Sequence, residues 1–179
     1  MIETQRLTLR KWRADEAALV LEILRQPGVM EGLGDTDFET RVERVMRDIP
    51  LTDPGGFCFL AVERKDTREA IGFAGLKRGD YGPIVGKLEI GWTIADAHVG
   101  QGYAREAAQA LLEWAARDFP GEDVWAITAE VNARSRGLMQ RLGMKYLPAF
   151  DFLHPKVPDG SPLKLCVTYL KEMPDDEAR

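Results

Sequence analysis

The chain has 179 residues, 45% hydrophobic and 30% charged, with a net charge of −5. That length suits one domain with a substantial core, and the composition is that of a soluble globular protein. No window approaches the ~18 uninterrupted apolar residues of a membrane span, no signal-peptide core is visible, and the acidic balance argues against a nucleic-acid binder. Cys58 and Cys166 show no metal spacing and read as reduced thiols in a cytoplasmic protein.

In chain order, Leu7, Leu9 and Lys11-Trp12 predict a first strand ending near residue 12. Ala17, Val20, Leu21 and Leu24 recur at helical spacing, with Pro27-Gly28 as the stop. Thr36-Asp37-Phe38-Glu39 is a capping-box pattern ahead of an apolar stripe from Phe38 to Ile49. Residues 57–63 and 70–76 predict a hairpin across the polar stretch 64–69, and 87–94 the next strand. Ala104, Ala107, Ala108, Leu111, Leu112, Ala115, Ala116 and Phe119 form a long helical stripe that Pro120-Gly121 closes. Residues 124–131 predict a strand, Asn132 a helix N-cap, and Leu138, Met139 and Leu142 the apolar side of that short helix. Two last strands, 145–152 and 163–170, flank the loop between Pro155 and Pro162. Neither repeat nor linker is visible, so residues 1–179 are expected to form a single α/β (α+β) domain with a mixed sheet of about seven strands and about four helices.

The stretch from Leu88 to Ala107 carries the chemistry. Alternating Leu88, Ile90, Trp92 and Ile94 lead into Gly100-Gln101-Gly102, which opens directly into a helix. A strand, a glycine turn and a helix N-terminus together offer unpaired N–H groups at the positive end of a dipole, an anion site suited to phosphate or pyrophosphate. The dinucleotide fingerprint needs a small residue where Arg105 stands, and no Gly-Lys-Ser/Thr follows, so both common nucleotide loops fail.

Val99-Gly100-Gln101-Gly102-Tyr103-Ala104 does resemble the Q/R-x-x-G-x-G/A acetyl-CoA loop of the GCN5-related N-acetyltransferases, the GNAT superfamily, at its two small positions; Val99 departs from the first. Three further segments resemble the branch that includes ribosomal-protein N-terminal acetyltransferases. They are Glu3-Thr4-Gln5-Arg6-Leu7-Thr8-Leu9-Arg10, then Ala70-Ile71-Gly72-Phe73-Ala74-Gly75-Leu76, then Asn132-Ala133-Arg134-Ser135 with Arg141-Leu142-Gly143-Met144. Asp151-Phe152-Leu153-His154-Pro155 is similar to a D-F-x-H-P element of a less characterised subgroup. The resemblance implies the GNAT fold and an N-acetyltransferase that uses acetyl-CoA as co-substrate without a metal. It implies direct transfer to a primary amine, either a protein N-terminus or a small amine. Transfer of a longer acyl group, or CoA binding without catalysis, are the alternatives. A homodimer is the family expectation for assembly, with no membrane or nucleic-acid partner.

Trp92, Thr93, Ile94, Gly100, Gln101, Gly102, Tyr103, Ala104, Arg105, Asn132 and Arg136 are the residues the resemblance assigns to the cofactor. Trp92 also reads as core by its strand phase. Arg105 and Arg136 are cations in the first turns of helices, where they oppose the dipole; a phosphate ligand explains them, and so does plain solvation. An amine must be neutral to attack a thioester, which calls for a general base, oxyanion donors and an acid for the thiolate. Glu89 lies on the strand face opposite Leu88, Ile90 and Trp92, thirteen residues before Gly102; by position alone it is a solvated strand carboxylate, and the resemblance makes it the first candidate for the base, with His154 of the D-F-x-H-P element its rival. His98 reads as a loop residue. For Ser135, three residues after Asn132, the resemblance implies that it protonates or hydrogen-bonds the departing thiolate; the plain alternative is a first-turn serine that satisfies backbone N–H groups.

Overall fold

The computed structural model describes residues 1–33 and 58–174. Within them lie nine strands and four α-helices. These are β1 (Ile2–Glu3), β2 (Leu7–Arg10), α1 (Ala17–Leu24), α2 (Pro27–Leu33), β3 (Cys58–Arg64), β4 (Ala70–Arg78), β5 (Leu88–Ile94), α3 (Tyr103–Asp118), β6 (Val124–Ala129), α4 (Ala133–Arg141), β7 (Lys145–Tyr146), β8 (Phe152–Leu153) and β9 (Leu165–Lys171). The helix expected over 36–49 lies outside the described residues.

One sheet takes all nine strands, in the order β1-β2-β3-β4-β5-β6-β9-β7, with β8 also on β9. Every pairing is antiparallel except β5 with β6. A parallel pair needs a long crossover, and α3 supplies it. The alanine stripe explains how α3 lies flat on the sheet: Ala107, Ala108, Leu111 and Ala115 are each 0% exposed against Leu76, Leu88, Ile90 and Val124. A second, smaller core on the opposite face joins α1 and α2 to Phe73 and Ala95.

Three expectations are corrected. Pro27 opens α2 instead of merely stopping α1, because a proline in the first turn lacks an N–H that would have no partner there anyway. The strand expected over 145–152 is broken into β7 and β8 by the 3₁₀ turn Pro148–Phe150. Pro148 cannot donate to the ladder, and β9 fills in with side chains and caps: Thr168 Oγ1 donates to the Phe150 carbonyl (2.8 Å) and Thr168 N–H to Asp151 Oδ1 (3.2 Å). That break, with the short β1 at the N-terminus, raises the strand number above the seven expected. The first strand also stops at Arg10, where the guanidinium turns in to meet Glu63 (2.6 Å) and Glu16 (2.6 Å).

Candidate active site

Strands β5 and β6 share a ladder only at Leu88↔Val124 and Glu89↔Trp125. Beyond those pairs the ladder ends, and a cavity of about 660 Å³ is lined by Ile90–Ile94 on one side and Ile127–Ala129 on the other. The N-termini of α3 and α4 border it, through Gly100, Gly102, Tyr103, Ala104 and Arg105 from one and Asn132, Ser135 and Arg134 from the other.

The glycine turn is shaped by backbone conformation. Gly100 and Gly102 have φ of +81° and +84°, in the left-handed region where only glycine is unstrained. A Cβ on Gly100 would meet no heavy atom within 4 Å, so the turn faces open space. Gly102 caps α3 with no side-chain hydrogen bond, and the first intrahelical bond runs from Glu106 N–H to the Gly102 carbonyl (3.0 Å). The N–H groups of Tyr103, Ala104 and Arg105 therefore lack intrahelical acceptors, which leaves a cradle for an anion.

A brace from the N-terminal strands holds this turn. Arg6 donates through Nε to Glu106 (2.6 Å) and through Nη1 to the Gln101 carbonyl (3.0 Å), and it lies 4.5 Å from the Tyr103 ring. Glu106 also accepts from Thr4 Oγ1 (2.6 Å) and Arg6 N–H (2.7 Å). Burial pushes the Glu106 carboxyl up, and the hydrogen bonds from Thr4 and Arg6 outweigh it and hold the group below the usual carboxylate value. Gln101 does not line the cavity; its carboxamide donates to the Ala97 carbonyl (3.0 Å).

Glu89 stands where β5 and β6 part, on the face opposite the one Leu88 and Ile90 bury against α3. Cross-strand register sets Lys77 beside it, with Nζ 3.5 Å from the Glu89 carboxylate and 2.7 Å from Asp80. His154, 8% exposed, reaches the same cavity from the loop before β9. Its ring packs at a tilt against Tyr81 (centroids 4.6 Å apart, 52° between the planes), and its Nδ1 accepts the Lys156 N–H (3.2 Å). That bond assigns the proton of the neutral imidazole to Nε2. Ser135 gives its N–H to the Asn132 carboxamide (3.1 Å), so Asn132 is the N-cap of α4, and both residues line the cavity.

Trp92, Thr93 and Ile94 line the cavity from β5, and Trp92 packs on the main core as well. Arg136 is elsewhere: it donates to the Glu130 carbonyl (3.0 Å) and to Tyr169 Oη (3.4 Å), whereas Arg134 and Arg141 face the cavity. His98 borders the glycine turn with Nε2 3.5 Å from Glu69, and its buried Nδ1 has no hydrogen-bond partner among the described residues. Sequence reading missed Lys77, Tyr81, Arg134, Arg141 and Cys166. Only strand register brings Lys77 and Cys166 to this face, and no local pattern encodes it. Burial pushes the Cys166 thiol up to about 11, with the Asp151 and Glu89 charges adding to it.

Gly28 closes the arrangement. Its N–H donates to Asp96 (2.9 Å) beyond β5, and its carbonyl accepts from Arg134 (3.2 Å) on α4, so the start of α2 is tied to both arms of the split. Among the described residues no group of three or more His, Cys, Asp or Glu side chains is placed to hold a metal ion. Among them, too, no helix is long and apolar enough to cross a membrane.

Comparison with known proteins bears on the same region. Residues 6–145 match the family described as acetyltransferase (GNAT) domain. An uncharacterized N-acetyltransferase, p20, of Bacillus licheniformis is 29% identical over 116 residues, which span 62% of this chain and 63% of that protein. An acetyltransferase from Agrobacterium tumefaciens has a similar structure, with a TM-score of 0.75 at 26% identity, covering 96% of this chain and 94% of that one. At 17% identity, RimL, a ribosomal L7/L12 alpha-N-protein acetyltransferase in complex with coenzyme A, shares the fold with a TM-score of 0.73 over 97% of each chain. With the family match running from the brace at Arg6 through the glycine turn to the end of α4, this chain belongs to the GNAT acetyltransferase family.

Proposed function

We propose that this protein transfers an acetyl group from acetyl-CoA to a primary amine by direct attack in a ternary complex. The observation that carries the reading is the parting of β5 and β6, which runs from the glycine turn and the free N–H groups of α3 to the half-buried Glu89 carboxylate. The residues fit the co-substrate: Gly100 faces open space, α3 offers free N–H groups, and Arg105, Arg134 and Arg141 line the same cavity. Main-chain N–H groups of Gly100 to Ala104 take the pyrophosphate, with Arg105 beside it. Arg134 and Arg141 are better placed than Arg136 for a further phosphate, since Arg136 is committed to Glu130 and Tyr169. Unpaired edges of β5 and β6, together with Asn132, suit the amides of a pantetheine arm.

Acetyl-CoA supplies an activated acyl carbon. Glu89 takes the proton from the incoming ammonium, directly or through water, so that the nitrogen lone pair can attack. As the C–N bond forms and the C–S bond breaks, Ser135 hydrogen-bonds the departing thiolate. Glu89 is favoured over His154 because the imidazole Nδ1 already accepts from Lys156 and the neutral ring carries its proton on Nε2. His154 is then a donor to the acceptor or acyl oxygen. Cys166 stays thiol at neutral pH, which supports direct transfer without an acyl-enzyme.

The test is release of the CoA thiol from acetyl-CoA in the presence of a panel of amines, including N-terminal peptides. Saturable, amine-dependent release is the expected result. A folded protein that binds CoA and releases thiol with no amine would instead be a binding module, and selective turnover of longer acyl thioesters would move the activity to that group.

A further inference from the structure

Arg6 stands immediately before β2 and meets the glycine turn from outside the cavity. Glu106 grips it twice, accepting from its N–H (2.7 Å) and from its Nε (2.6 Å), which sets the direction of the guanidinium. Nη1 then donates to the Gln101 carbonyl at 3.0 Å. Among the described residues Gly100 and Gly102 line the cavity, and neither Gln101 nor Arg6 does.

The Gln101–Gly102 peptide thus joins the two sides of the turn. No described peptide bond is cis, and in a planar trans peptide the C=O and the following N–H point in opposite directions. With the carbonyl turned to Arg6, the Gly102 N–H points away from Arg6. No backbone carbonyl of the described residues accepts it. A Cβ on Gly102 would lie 3.3 Å from Nη2, so Arg6 also closes the outer side of the turn. A guanidinium draws electron density through the carbonyl it binds, and the N–H of that same peptide becomes a stronger donor. The same cation offsets the charge that Glu106 brings to the first turns of α3.

Resting on the acetyl-CoA reading above, we infer that Arg6 is a positioning residue for the cofactor, one that aims the Gly102 N–H at the diphosphate. It acts through the Gln101–Gly102 peptide and not by touching the ligand.

The experiment measures binding of coenzyme A and of dephospho-coenzyme A by calorimetry to wild type, Arg6→Ala and Arg6→Lys. With 44% of its side chain exposed, Arg6 can be replaced without opening the core. Arg6→Ala is expected to raise Kd for both ligands by the same factor, about 10- to 100-fold, the worth of one donor to a charged group. Arg6→Lys keeps the charge and loses the Nε–Nη1 fork, so it should recover only part of that loss. In wild type the Gly102 amide proton should move downfield on binding either ligand, and it should move less in both variants. A merely structural role would leave that shift unchanged.

Equal Kd values for wild type and Arg6→Ala overturn the inference. So does a loss confined to coenzyme A, which would put Arg6 at the 3′-phosphate, and so do full recovery in Arg6→Lys or a Gly102 amide that ignores the ligand. Should Arg6→Ala fail to fold, Arg6→Lys carries the same comparisons. Wild type that binds neither ligand sinks the cofactor reading and the inference with it. Binding without amine-dependent thiol release sinks acetyl transfer alone and leaves Arg6 its role.

Discussion

A carboxylate where two strands part, beside a lysine, is well placed to receive a proton, and the chemistry turns on which side chain takes it. If Glu89 is the base, Glu89→Gln should lower kcat/KM by ~10²–10⁴-fold at neutral pH while acetyl-CoA still binds. Raising the pH should restore part of the rate, because more of the amine is then already neutral, and the acidic limb of the pH profile should flatten. His154→Ala should act more on acceptor KM and on stability, because it removes a buried ring that packs against Tyr81. The reverse pattern in steady-state kinetics would transfer the role to His154. Capping, a local rule, made Asn132 legible, and alternation gave the face of Glu89, whose candidacy as base came from the family resemblance. The partner Lys77 was not legible, since it lies on another strand and only the β4–β5 register brings it opposite.

Among the elements, α3 carries the proposed anion site, and its first turn is fastened to the N-terminal strands. Glu106 accepts from Thr4 and twice from Arg6, while Arg6 also holds the Gln101 carbonyl. Its folded-state pKa is lowered. The stabilisation is therefore present in full above the unfolded-state value of ~4.3 and is lost as pH falls through the lower folded-state value. Glu106→Gln is expected to cost about 1–2 kcal/mol in urea unfolding at pH 7 and to shrink the loss of stability on acidification. The variant should also weaken acetyl-CoA, since the turn loses its brace. Identical unfolding curves for the two proteins across that range would contradict the brace. Elements with strong periodicity, α3 above all, could be read directly. The 145–152 strand misread because periodicity carries through Pro148, where the chain instead takes a 3₁₀ turn whose Phe150 carbonyl accepts from Thr168 Oγ1 of β9.

Over the whole molecule, the sheet is two antiparallel halves, β1 to β5 and β6 to β9, joined by α3 and by a ladder of two residue pairs. A ligand lying between the halves adds contacts to both, so coenzyme A should stabilise the fold by linkage. At a hundred times Kd the gain is about 2.7 kcal/mol, visible as a rise in Tm. Gly102→Val should abolish that rise. It places a β-branched residue at a φ of +84°, which strains the turn by about 1–2 kcal/mol and sets a side chain against the Arg6 guanidinium that braces it, so the N–H groups proposed to take the pyrophosphate should shift. A folded Gly102→Val protein with the wild-type thermal shift would remove the glycine turn from the cofactor site.

The sequence by itself determined the helices of the sheet's α3 face, the hairpin, the capped α4, the glycine turn and the family, because each rests on residues close together in the chain. Only the tertiary structure decided where the strand ladder ends. It alone set Arg134 and Arg141 in the cavity in place of Arg136, and Lys77 against Glu89. Those placements depend on strand order and register, which arise from packing over the entire sheet, and no short stretch of sequence contains them.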